Sequence, residues 1–155
     1  MSGKSCYFIG HREAGEAIFP ALAAAVEEHI TVRGVTDFFV GTYGAFDAMA
    51  AKALAVAKER HPHITLRQLL AYHPAERPIK PPEGFDIGFY PPGMERVPRP
   101  FAIVRANRYM VEHVDFLIAY VWHPASSARD LLEYAEKREK KGLLVVTRLE
   151  HTADK

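Results

Sequence analysis

The chain of 155 residues has a single cysteine, Cys6, and therefore no means of closing a disulfide within itself. That composition accords with a reducing compartment. No apolar run approaches the roughly 20 residues that a membrane-spanning helix needs. The opening segment, MSGKSCYFIG, is too short and too mixed to read as a signal peptide. Charge of one sign is lacking as well: the formal net charge is +1. Bulk electrostatics therefore argue for neither a membrane surface nor duplex nucleic acid as a partner. The eight histidines are scattered, with no H-E-x-x-H and no cysteine cluster, so no metal is expected, and no cofactor motif is present. The expectation is a soluble cytoplasmic protein of one domain, long enough to bury a core without staples.

What is present alternates. Residues 5–9, SCYFI, read as a buried strand ending at Gly10. Phe19, Leu22, Ala23, Val26 and Ile30 then recur at helical spacing, with Pro20 near the helix start. Residues 37–40, DFFV, predict a second strand, and AFDAMAAKALAVAKER predicts a helix from Phe46 to Arg60. A third strand is expected over 64–72. Residues 73–100 hold eight of the eleven prolines, which excludes a packed helix or a central strand. Phe85, Phe89 and Tyr90 within this segment predict a loop docked on the body.

After Pro100, the stripe Ile103, Val104, Asn107, Met110, Val111 and Val114 predicts a helix with one polar residue on its apolar face. DFLIAYVW predicts a fourth strand and LLVVT a fifth. Between them, SSARDLLEYAEKREKKG reads as a helix capped by Ser126 or Ser127 and closed at Gly142, with a solvated charged face over Glu136–Lys141. Strand and helix in alternation predict an α/β domain: a Rossmann-like three-layer sandwich on a mostly parallel five-stranded sheet.

In such sheets ligands bind beyond the carboxyl ends of the strands. Polar and aromatic residues gather there: Gly10, His11 and Arg12 after the first strand, then Gly41, Thr42, Tyr43 and Gly44 after the second. Tyr72 and His73 follow the third strand, and Tyr120, Trp122 and His123 the fourth. Glycines allow tight turning and close approach to a ligand, and a helix N-terminus behind them favours phosphate. The spacing is neither a P-loop nor a G-x-G-x-x-G fingerprint. Arg12 suits a phosphate or carboxylate. His11 reads either as a packed, capping residue or as part of the site. Asp47 either complements a helix dipole or holds a ribose hydroxyl or acts as a base. Asn107 either satisfies buried backbone or reaches the ligand. Trp122 and Tyr43 either stack on a base or simply pack.

The segments CYFIGHR, VGTYGAFD, LLAYHP, FAIVRANRYMVEHVDFLIAYV and LLEYA, taken in order, resemble the YpsA-like branch of the SLOG superfamily. That superfamily groups the DprA/Smf proteins with the cytokinin-activating phosphoribohydrolases. The resemblance implies a pocket for a nucleotide or nucleotide-derived ligand, of the nucleoside monophosphate or ADP-ribose type. By position, Gly10 and Arg12 match its first-loop motif, Gly41, Gly44 and Asp47 its glycine loop, and Asn107 the polar residue of the later helix. Many relatives carry a Gly-Gly pair, then Thr and Glu, at the next-to-last helix. Here Ser126 and Ser127 stand in place of the glycines, and Glu133 is the remaining candidate acid. The resemblance thus implies a sensing or sequestering module rather than an efficient hydrolase. An N-glycosidase or N-ribosyl transferase, using Glu133 or Asp47, and a DprA-like interaction module are the alternatives. Homo-oligomerisation is left open.

Overall fold

A computed structural model describes residues 3–86 and 88–150. Five strands, β1 (Lys4–Gly10), β2 (Val35–Val40), β3 (Thr65–Gln68), β4 (Phe116–Tyr120) and β5 (Val145–Arg148), form one sheet in the order β3-β2-β1-β4-β5. Every pairing is parallel. Four α-helices connect them: α1 (Phe19–Thr31), α2 (Ala45–Arg60), α3 (Ala102–His113) and α4 (Ser127–Lys140). This is the Rossmann-like α/β sandwich that the alternation predicts. No helix among the described residues is long and apolar enough to cross a membrane.

The strand pleat divides the core into two layers. Cys6, Phe8, Phe38 and Ile118 point to one face and pack with Leu22 and Val26 of α1 and Leu54 of α2. Tyr7, Ile9, Leu117 and Ala119, one position along, point to the other face and meet Met110 and Val111 of α3 and Leu132 of α4. All five residues of β4 are buried, as a central strand covered on both sides requires.

Three expectations are corrected. The third strand spans Thr65–Gln68 only, not 64–72. Beyond it the chain begins to turn into the proline segment, with Leu69 making one isolated bridge to Phe89. On α3 the buried line runs through Ala102, Ala106, Met110 and Val111, while Val104 is 55% exposed. Small alanines at those positions bring the helix close to the sheet and turn Val104 outward. The charged end of α4 is not simply solvated: the Arg138 guanidinium donates to the Glu112 carbonyl, and Glu136 and Glu139 both engage Arg148.

That last contact closes one border of the sheet. On β5, the Val146 N–H donates to Glu139 Oε2 (3.1 Å). The Val146 carbonyl accepts from Arg148 Nη1 (3.4 Å). The opposite border is closed by the proline segment. The Asp86 N–H donates to the Leu66 carbonyl, Phe89 N–H to Gln68, and Leu70 N–H to Phe89. Asp86 and Phe89 thus lie beside β3 and pair with its outer edge. The segment is docked as its aromatics predict: Phe85 packs on the α1–α2 layer, and Phe89 and Tyr90 on the α3–α4 layer.

An unpaired strand edge is a template for self-association. Replacing Glu139 by Ala strips the acceptor from the Val146 N–H and one carboxylate from Arg148. The expected loss is about 1–2 kcal/mol, read as a lowered melting temperature, together with concentration-dependent association in sedimentation velocity. A variant as monodisperse and stable as the parent would show that the border needs no guard.

Candidate functional site

Strands β2 and β3 lie on one side of β1, and β4 and β5 on the other. The connections leaving β1 and β4 therefore diverge, and a crevice opens at their carboxyl ends. A cleft of about 740 Å³ occupies it, within the range of small-molecule sites.

The first wall follows β1. A Cβ on Gly10 would lie 2.4 Å from the Phe46 ring, so α2 can approach β1 only over a glycine. His11 is 5% exposed, and its Nε2 accepts from the N–H groups of Trp122 (3.0 Å) and His123 (3.2 Å). A ring nitrogen that accepts is unprotonated, so the histidine is neutral, with its proton on Nδ1. The Trp122 and His123 rings meet it edge-on at 4.2 and 4.7 Å. His11 therefore lines the cleft and also joins its two sides. Trp122 packs on His11 and Tyr120 and is not in the lining of the cleft.

Arg12 is exposed at the mouth. Its carbonyl accepts the Ala45 N–H at 2.9 Å, tying the first loop to the start of α2. Gly44 has φ +103°, and a Cβ there would lie 2.7 Å from Arg12 Cα. Any other residue at that position meets both backbone strain and a clash. Gly44 shapes the loop and is not itself in the lining.

Asp47, in the first turn of α2, folds back over its own loop. Its Oδ2 accepts the Tyr43 N–H at 3.0 Å, and a Cβ on Gly41 would come within 2.7 Å of the same oxygen. Gly41 is thus small because a carboxyl group fills the space above it. Burial raises this carboxyl from its ordinary 3.8 to about 7, against the opposing pull of the Tyr43 N–H and the Arg12 charge. Thr42 and Tyr43 line the cleft beside it.

On the facing wall, Asn107 of α3 accepts from the Tyr7 hydroxyl at 2.5 Å. Burial, helped by the Asp47 charge, pushes that phenol well above its usual range. Neither of the sequence alternatives for Asn107 names this partner. The N-terminus of α4 completes the cleft. Ser126 is the cap, its Oγ accepting the Arg129 N–H at 3.0 Å, and Ser127 and Ala128 line the opening.

The structure thus gathers Gly10, His11, Arg12, Gly41, Thr42, Tyr43, Asp47, Asn107, Ser126 and Ser127 around one cleft. It does not bring Glu133 there. That side chain lies on the exposed side of α4, outside the lining. The α4 acid that does face the cleft is Asp130, one helical turn earlier. Sequence reasoning also missed Tyr7, Glu13 and Arg108. Tyr7 carried a legible signal, as the one hydroxyl-bearing aromatic in an otherwise apolar strand. Arg108, stacked over the Tyr134 ring at 4.3 Å, had none.

None of the described residues between 73 and 100 lines the cleft. They build a neighbouring cavity of about 530 Å³ that shares Ala71 with it. There the Tyr72 ring lies under the Arg77 and Arg99 guanidinium groups, at 4.2 and 5.2 Å, and Arg99 pairs with Glu76. The proline segment flanks the site and does not cover it.

No protein-family model matches the chain, and no curated protein matches it significantly.

The Asp47 shift has a pH signature. Between about pH 4 and pH 7 the folded chain keeps a proton that the unfolded chain has released. Stability contributed by this group is full below pH 4 and is lost as pH rises through 7. Asp47→Asn removes the titration. Relative to that variant, the parent is expected to lose about 1–3 kcal/mol between pH 5 and pH 8. Thermal melts across that range are the measurement, and parallel curves would contradict it. A second expectation concerns Gly10. Gly10→Ala should cost about 2–4 kcal/mol with no ligand present, through overpacking against Phe46, read by urea denaturation.

Proposed function

We propose that the cleft binds a nucleotide or nucleotide-derived ligand, of the nucleoside monophosphate or ADP-ribose type, and that the protein acts as a sensor or sequestering module for it. One observation carries this reading: an arginine, a serine-capped helix N-terminus and a buried carboxyl converge on one cleft at the switch point of a parallel sheet. The resemblance of the sequence to the YpsA-like branch of the SLOG superfamily points the same way.

The chemistry suggests an orientation. The glycine loop has already committed the Tyr43 N–H to Asp47 and the Ala45 N–H to Arg12. The first turn of α4, with Ser127 and Ala128 open to the cleft, is the more suitable end for phosphate, with Arg12 at the mouth to neutralise it. Asp47 and the Tyr7–Asn107 pair then suit the hydroxyls of a sugar.

A second reading is cleavage at an N-glycosidic bond. Asp47 favours it, since a carboxyl near pKa 7 can exchange a proton at neutral pH. Glu133 lies too far out to assist. Incubation with AMP, GMP and CMP, with chromatography for free base, separates the two readings. Base release abolished by Asp47→Asn would establish the enzyme.

For the binding reading, thermal shift and calorimetry with nucleoside monophosphates, diphosphates and ADP-ribose are the test. Arg12→Ala is expected to weaken the tightest ligand about 10- to 100-fold, as loss of charge-assisted hydrogen bonds implies. No binding by any of these at millimolar concentration would remove the proposal.

A further inference from the structure

Beside the cleft mouth, α3 presents a face that none of the described residues covers. Phe101, the residue before its first turn, is 62% exposed, and Val104 is 55% exposed. Arg105 and Arg108 are exposed too. The positions 101, 104, 105 and 108 share one helical face. Two of these residues, Val104 and Arg108, also line the cleft, so this surface continues the site outward.

The charge on this face is of one sign. From Arg96 to Val111 the sequence has four arginines and no acid. The first acid further along, Glu112, accepts from the Tyr134 hydroxyl. Arg99 is occupied by Glu76, but among the described residues neither Arg105 nor Arg108 has an ion pair, and Arg108 lies over the Tyr134 ring face. The acids inside the cleft, Glu13, Asp47 and Asp130, lie on other elements. An aromatic ring and an aliphatic side chain next to two guanidinium groups match the chemistry of a nucleoside phosphate: a flat base for the first pair, bridging phosphates for the second. From Phe101 to Arg108 the helix rises about 10 Å, close to the reach of one such unit.

We propose that the ligand extends beyond the cleft along α3, and that the preferred class is a dinucleotide, two nucleoside units joined through phosphates. The first unit occupies the cleft. The bridging phosphates run outward from the first turn of α4 and Arg12 to Arg108 and Arg105, and the second base lies on Phe101 and Val104. This inference rests on the binding reading above, and the experiment keeps the two apart.

Calorimetry is run on the intact chain with each nucleoside monophosphate, and with the symmetric dinucleoside pyrophosphate built from the one that binds best. The parent is compared with Phe101→Ala and Arg105→Glu, both at exposed positions outside the cleft, each checked for an unchanged melting temperature and for oligomeric state. The expected result is a dinucleotide bound at least 10-fold more tightly than its monophosphate. Each variant should remove most of that gain and leave monophosphate affinity within twofold. Equal affinity of the two ligands, or a preference that both variants retain, overturns the extension and leaves the cleft reading standing. A parent dimer that Phe101→Ala dissociates, with no dinucleotide preference, would assign the face to a second copy and overturn the proposal. Absence of binding by every ligand overturns the cleft reading, and the extension with it.

Discussion

The neutral imidazole of His11 holds together two chain segments that the sheet order drives apart. A parallel sheet that reverses its winding between β1 and β4 must splay the loops that follow those strands. Without a tie, the crevice would be a gap between two mobile ends. Accepting two N–H groups from the far side, His11 turns that gap into a walled cleft. The other loop contacts depend on it in sequence. Arg12 follows directly, its carbonyl fixes Ala45, and Ala45 starts the helix that carries Asp47. Backbone geometry at three loops is thereby set by side-chain and backbone pairs that contain no charge at neutral pH.

Much of this was legible before any coordinates. Strand and helix alternation gave the fold class, because an apolar run of five residues and an amphipathic run of fifteen have few alternative arrangements in one small domain. The loops at the carboxyl ends were placed correctly for the same reason. What the sequence could not disclose were choices made by contact. Gly10 and Gly41 read as glycines for ligand approach, and both face a neighbouring side chain instead: Phe46 in one case, Asp47 in the other. Val104 fits an apolar stripe on spacing, but the small residues Ala102 and Ala106 rotate the buried line away from it. Glu133 stands at the acid's place in the pattern that the sequence resembles, and a difference of one helical turn puts Asp130 in the cleft in its stead. Periodicity resolves the elements of such a fold; it does not resolve a rotation of α3 or α4 by one residue, and site membership turns on that.

The cleft carries both signs of charge in an ordered way. Arg12 and Arg108 stand at or near the mouth, while desolvation raises the partly buried Asp47 carboxyl to about 7, so that it carries only part of a charge at neutrality. The cleft thus holds less negative charge at Asp47 than an ordinary carboxylate would bring, while Glu13 and Asp130 lie elsewhere in its lining. Were Asp47 a normal carboxylate, the cleft would carry one more full negative charge beneath that rim. Tyr7 and Asn107, bonded to each other, add polarity there without adding charge.

The pairing of β1 with β4 has a further consequence, which lies in time. Cys6 pairs with Phe116, whereas β1, β2 and β3 are linked by short crossovers through α1 and α2. Closing a long loop costs chain entropy before any contact compensates for it, so near neighbours in sequence have the kinetic advantage. The half containing β1 to β3 can assemble on local contacts. The α3–β4–α4 half must then be carried back past the proline segment to reach β1. That closure brings the Trp122 and His123 N–H groups to His11 and sets the α3 and α4 walls of the cleft opposite the other two loops. The walls of the cleft thus come from segments far apart in the sequence, and the cleft exists only where that long-range closure has been made.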